Sequence, residues 1–199
     1  MQAASPRRII LASRSPRRLE LARDRGWDVV VVAPPDEAEA AAPPRGPNEP
    51  LEAFVMRLAH AKAAAVQALG ATGTILACDT LGEVAGVVLG KPADAVDARR
   101  MLEALARRTH RVLTGVCLWP SGAGEPRQAW AESTLEMDAF TPDFLDWYLA
   151  SGLWRGKAGA CGFQDERLPL RLLTGSPSNV VGLPVELIEQ MLAEIDRFH

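Results

Sequence analysis

Four polar clusters in this chain combine residue types at spacings that suit phosphate chemistry. The first is Ser13-Arg14-Ser15-Pro16-Arg17-Arg18. Ser15 suits a helix N-cap and Pro16 the first helical position, so the cluster predicts a helix N-terminus. Such an end presents free N–H groups and a positive dipole end to an anion. Arginines beside it add bidentate contacts to phosphate oxygens. An ordinary capped helix with solvated arginines accounts for the same residues. The second cluster is Asp79-Thr80, directly after the apolar run 74–78. A carboxylate that ends a buried strand can hold a divalent cation or take a proton from water; a turn or cap aspartate is the plain alternative. The third is Gly90-Lys91-Pro92, part of a phosphate loop without the full GxxxxGK[ST] pattern, or simply a solvated lysine. The fourth is GKAGACGFQ at 156–164. Its glycines permit close backbone approach to a ligand, with Lys157 as an anion contact and Gln164 as an amide reader. A flexible connection explains that stretch equally well.

Further groups add to this set. Asp36 and Glu37 sit in a proline-rich loop over 34–50, either as a solvated acidic stretch or as metal ligands above a site. Lys62 is either solvated or turned toward phosphate. His60, His110 and His199 show no HExxH or paired spacing, which argues against a histidine zinc site. No GxSxG elbow is present. Cys78, Cys117 and Cys161 are odd in number and form no CxxC, so they read as small buried or half-buried thiols. Cations, acids, and glycines at strand ends, without a covalent nucleophile, suit metal-assisted phosphoryl chemistry on a nucleotide better than acyl transfer.

The elements that must position these groups alternate along the chain. Strands are predicted at 8–12, 27–33, 74–78, 83–89, 109–119, 128–139 and 167–173, from apolar and β-branched runs. Helices are predicted at 16–25, 49–69, 93–107, 142–150 and 184–197, from caps and apolar stripes. This alternation predicts an α/β domain around a central sheet, and 199 residues suit one domain spanning the chain, 1–199. An apolar share of 48% and a charged share of 24% exclude a disordered tail, a coiled coil and a collagen-like chain. No apolar run reaches about 18 residues, the length of a membrane helix. Residues 1–8 lack the pattern of a secretory signal, so a cytoplasmic location is expected. A net charge of −3 and scattered aromatics speak against a nucleic-acid binder, although a local basic pocket remains compatible with it.

The ordered set of segments resembles Maf-type nucleoside triphosphate pyrophosphatases. The matching pieces are LASRSPRRLEL (11–21), Asp36-Glu37, His60-Ala61-Lys62, ACDT (77–80), LGKP (89–92), RTHRVLTGV (108–116), GKAGACGFQ (156–164) and SNVVGLP (178–184). The resemblance implies an elongated mixed β-sheet flanked by helices, with two lobes around a central cleft, similar to inosine triphosphate pyrophosphatases. It implies hydrolysis of the α–β phosphate bond by water with Mg²⁺ or Mn²⁺, releasing pyrophosphate, in a protein that is often a homodimer. Ser13, Arg17 and Arg18 fall on the phosphate-binding motif. Glu37 falls on an acid of the site that ligates metal or water, and Lys62 and Lys91 on lysines that hold the triphosphate. Asp79 falls on the aspartate taken as general base and, with Glu37, as metal ligand. Gln164 falls on the glutamine that accompanies pyrimidine triphosphates. The Arg17-Arg18 pair, Lys62 and Gln164 resemble the dTTP/UTP branch rather than the 7-methyl-GTP branch. Two positions depart from that branch: Cys161 replaces a tyrosine, and Asp165 follows Gln164 where glycine is usual. The same chemistry on another base, and a nucleotide-binding regulator of cell division, are the competing expectations.

Overall fold

The computed structural model describes residues 8–35 and 42–197. Asp36 and Glu37, singled out above, lie outside the described residues. Strand β1 (Arg8–Leu11) pairs in parallel with β2 (Asp28–Val31), with Ile10 opposite Val30. It pairs in parallel on its other side with β3 (Thr74–Val84), with Leu11 opposite Leu76. Both faces of this strand are covered, which explains why Ile9, Ile10 and Leu11 form an uninterrupted apolar run. Strand β3 also pairs antiparallel with β4 (Val87–Leu89). The remaining strands are β5 (Arg108–Pro120), β6 (Arg127–Met137) and β7 (Leu170–Thr174). The seven-stranded sheet has the order β2-β1-β3-β5-β6-β7, with β4 attached to β3. It is a mixed sheet, as expected.

Its helices are α1 (Pro16–Asp24), α2 (Leu51–Ala68), α3 (Ala95–Leu105), α4 (Pro142–Ser151), the short α5 (Pro177–Val181) and α6 (Val185–Arg197). Contacts divide the chain into two compact units. The first comprises Met1–Asp79, Thr114–Ala131 and Gly182–His199; the second comprises Thr80–Leu113 and Glu132–Val181. In the first unit, alternate residues of β1 and β3 enter two different cores, as the two-residue repeat of a strand requires. Ile9, Leu11, Leu76 and Cys78 pack with Val185, Ile188, Met191 and Ile195 of α6. Ile10, Ile75 and Ala77 pack with Ala59, Ala63 and Val66 of α2. Helix α2 sits against β5 with almost no spacing: a Cβ on Gly115 would fall 2.3 Å from the carbonyl oxygen of Val55. The second unit has its own core, in which Val84 and Leu89 meet Met101, Leu102 and Leu105 of α3 and Leu145 and Tyr148 of α4.

Three expectations are corrected. The strand predicted over 74–78 does not stop before Asp79 but continues to Val84. The strand predicted over 83–89 is split by a two-residue turn, Ala85-Gly86, between paired Val84 and Val87. Both turn residues have positive φ, 50° and 80°, the geometry of the tight hairpin turn that matches strand twist. Strand β7 begins at Leu170 rather than 167, and α5 is a helix that no sequence signal predicts.

Candidate active site

The predicted phosphate end of α1 forms as its residues dictate. Ser15 is the N-cap, and its hydroxyl accepts from the Arg18 N–H at 3.4 Å. Just before it, the buried Ser13 hydroxyl accepts from the Ser15 N–H at 3.1 Å. The two serines therefore tie the turn between β1 and α1 into one shape. Arg18 reaches across to β3, where its guanidinium donates to the Cys78 carbonyl at 2.8 Å. Arg17 stands in the same first turn, half-buried, and makes no hydrogen bond or ion pair among the described residues.

Asp79 arrives beside this turn because of its register. It continues the Ile75–Ala77 face of β3, the face that looks onto α2. On α2, Lys62 lies three residues beyond Ala59 and one before Ala63, so it shares that buried face. The result is a Lys62–Asp79 ion pair with Lys62 at 8% and Asp79 at 4% exposure. Charges this deeply buried need each other, since an unpaired one bears its full desolvation cost. Burial pushes the neighbouring Cys78 thiol up to about 11, against the opposing pull of Arg18 and Lys62. Cys78 is therefore neutral packing, not a nucleophile.

The donor set can be tested against the divalent ion that the resemblance implies. Among the described residues no group of three or more His, Cys, Asp and Glu is placed to hold a metal. Asp79 is the only fully buried carboxylate among them. One hard oxygen ligand, completed by water and phosphate oxygens, is the usual way Mg²⁺ is held. Among the described residues, Asp79 fits as one oxygen ligand of an ion that arrives with its phosphate.

Lys91, Lys157 and Gln164 lie in the second unit. Lys91 is exposed in the turn after β4 and has no hydrogen bond or ion pair among the described residues. The preceding Gly90 carbonyl accepts from Gly159 N–H at 3.0 Å, which joins that turn to the short 3-10 turn Ala158–Ala160. Lys157 was expected to offer its charge to an anion; here its ammonium bonds both oxygens of Asp165, at 2.6 and 2.5 Å. The Tyr148 hydroxyl donates to the same carboxylate at 2.6 Å. Burial pushes the Tyr148 phenol up, and its bond to Asp165 pushes it further in the same direction, so it remains a proton donor. Gln164 is exposed beside this cluster.

Two polar groupings escaped the sequence reading. Arg111 on β5 bonds Glu83 on β3 and Glu132 on β6, at 2.8 and 2.9 Å, a cross-strand ladder that the two-residue repeat permits. No spacing of charge along these strands signals it, since Arg111 stands three residues from Arg108 and Glu83 four from Asp79. Asn179, 1% exposed, donates to the Val112 carbonyl and to Ser133, at 3.1 and 2.8 Å. It anchors α5; in the sequence it stands only as part of the matching segment SNVVGLP, with no pattern that singles it out.

The chain matches the family model described as "Maf-like protein" over residues 8–195. It is 39% identical to a dTTP/UTP pyrophosphatase of Rhodopirellula baltica, over 97% of this chain and 84% of that protein. It is 35% identical to a dTTP/UTP pyrophosphatase of Pyrococcus furiosus, over 94% of both chains. Among solved structures it is similar to a HAM1 protein from Coxiella burnetii, with a TM-score of 0.42 and 19% identity over 65% of this chain and 72% of that one.

Proposed function

The chain belongs to the Maf family, and from that premise we propose that it hydrolyses dTTP and UTP to the monophosphate and pyrophosphate, acting as one Maf-like domain. The observation that carries the proposal is the buried Lys62–Asp79 pair beside the serine-capped, arginine-bearing start of α1. Such a set offers cations for phosphate and a carboxylate for water within one unit.

In this reading the α1 end, Ser13, Arg17, Arg18, Lys62 and Lys91 hold the triphosphate. The Ser13 oxygen accepts a bond within its own turn, which leaves its hydroxyl proton to donate to an anion. The cations oppose the roughly four negative charges of a triphosphate and the charge that grows on the leaving pyrophosphate. Arg18 and Lys62 are already fixed by the protein, so little ordering is required when substrate arrives. Water attacks the α phosphorus, its proton passes to the Asp79 carboxylate, and the bridging oxygen leaves with pyrophosphate. Lys62 keeps that carboxylate aimed. Asp79 and Glu37 would hold a Mg²⁺ or Mn²⁺ ion, which would supply Lewis-acid polarisation of the phosphate oxygens. The Gln164 amide presents a donor and an acceptor, which complement the O4 and N3–H of uracil or thymine. We also propose a homodimer and a cytoplasmic location; no helix among the described residues is long and apolar enough to cross a membrane.

The test is pyrophosphate release from dTTP, UTP, CTP, ITP and 7-methyl-GTP with Mg²⁺ or Mn²⁺. Fast release from dTTP and UTP that disappears in Asp79→Asn supports the reading. Release from another base alone keeps the chemistry and discards the pyrimidine assignment. Nucleotide binding without release from any substrate favours a regulatory protein instead.

A further inference from the structure

Gln164 occupies a particular place in the second unit. The Asp165 N–H donates to the Gly162 carbonyl at 2.9 Å. This closes a four-residue turn, Gly162-Phe163-Gln164-Asp165, with Gln164 as its second central residue. A turn carrying an exposed glutamine would ordinarily wander, because only one backbone bond closes it. Here one lysine holds both ends. The stem of Lys157 lies directly over Gly162: a Cβ there would fall 2.9 to 3.0 Å from Lys157 Cδ, Cε and Nζ. Its ammonium bonds both Asp165 oxygens at the other end of the turn. Tyr148, fixed on α4, adds a third bond to Asp165 at 2.6 Å, and its hydroxyl oxygen lies 3.3 Å from the Ala160 carbonyl oxygen. Beyond the turn, the Leu168 N–H donates to the Asp165 carbonyl at 2.8 Å.

The side chains of Lys157 and Asp165 are only 12% and 11% exposed, so their charges satisfy each other and are screened little by water. Neither is placed as an exposed reader of a base, whereas Gln164 is exposed. We propose that Asp165 is a positioning residue for base recognition, which with Lys157 and Tyr148 clamps the turn that presents Gln164. The inference rests on the reading of Gln164 as the base contact. Lys157 thereby acts through the turn, not on the triphosphate. Gly162 is part of the device, since any side chain there would displace the lysine stem. Presenting an amide at a fixed position lowers the ordering cost of binding, so loss of the clamp weakens base recognition and leaves the phosphate chemistry in place.

The experiment compares UTP with ribose 5-triphosphate, which lacks a base, and follows pyrophosphate release from each. The ratio of their kcat/KM values measures what the base contributes. Asp165→Asn and Gly162→Ala are each expected to lower that ratio about tenfold, through KM for UTP, with ribose 5-triphosphate turnover within about twofold of wild type. In a Gln164→Ala background, Asp165→Asn is expected to change the ratio by less than about twofold, because the two residues act through one contact. Parallel loss on both substrates, an unchanged ratio, or an undiminished Asp165→Asn effect without Gln164 each overturns the inference. If Asp165→Asn does not fold by circular dichroism, Gly162→Ala, which keeps both charges, decides alone. A Gln164→Ala variant with the wild-type ratio overturns Gln164 as reader and the clamp with it, while the pyrophosphatase reading stands. A wild-type protein that releases no pyrophosphate overturns that reading itself.

Discussion

Lys62 and Asp79 are both buried, and removing one partner of such a pair strands the other charge. Lys62→Met is therefore expected to destabilise the protein by about 3 kcal/mol, measured by urea denaturation, as well as to impair activity. Asp79→Asn keeps the shape and leaves an amide oxygen to accept from Lys62. It is expected to lose less stability yet lower kcat at least about a hundredfold. Wild-type kcat in that variant would remove Asp79 from the role of base. The cysteines give a separate test. Burial pushes the thiols of Cys78, Cys117 and Cys161 up to about 11, 12 and 12. The buried Cys78 and Cys117 are expected to resist Ellman's reagent at pH 8 in the folded protein and to react at once in denaturant; rapid labelling of either in native protein would contradict this. The linkage has a definite sign. Unfolded thiols ionise near 9, folded ones not until about 11 to 12, so their contribution to stability is complete below 9 and is lost as pH rises through that interval.

At the scale of elements, α2 is the organiser of the first unit. Arg57 ties the preceding loop to it, with paired bonds to Glu49 at 2.9 and 2.8 Å and a bond to the Pro43 carbonyl at 2.9 Å. The Arg57 bond is the main reason that the Glu49 carboxyl lies near 2 rather than 4.5. The tether is thus intact above 4.5 and is lost as pH falls toward 2. NMR titration of the Glu49 carboxyl is expected to show a midpoint near 2, returning toward 4.5 in Arg57→Ala. Gly115→Ala is expected to cost more than about 2 kcal/mol by thermal or urea denaturation, because its Cβ would meet backbone, which cannot rotate away. How far these elements were legible depends on the range of the forces that define them. The start of α1 was readable from Ser15-Pro16 because a cap is a local hydrogen bond. The sequence marks Asp79 as a chemical group but puts it at a strand end, whereas the strand runs on to Val84. Continuation to Val84 depends on pairing with β4 across a turn that puts Ala85 at positive φ, which alanine does not advertise. Asp165 read only as a departure from the family, since its bond to Lys157 closes through irregular backbone without a period. No sequence pattern marks Gly115 as the point where a helix lies on a strand.

The whole molecule carries a net charge of −3, yet its proposed substrate is a polyanion. The overall field does not favour binding, so affinity must come from the local cations. Raising salt from about 50 to 300 mM is expected to increase KM for UTP several-fold while kcat changes little, as the Debye length contracts. A KM indifferent to salt would argue against a substrate held by charge. The division into two compact units has a consequence for how the protein is made and inherited. Its boundaries fall after residues 79, 113, 131 and 181, so neither unit is a single stretch of codons. Recombination cannot exchange one without cutting the other, and no one-piece gene fragment encodes either. The order of translation is constrained too. Ile9 and Leu11 of β1 share their core with Val185, Ile188, Met191 and Ile195. These β1 residues thus leave the ribosome well before the helix that completes their core, and a stop before α6 leaves that core open.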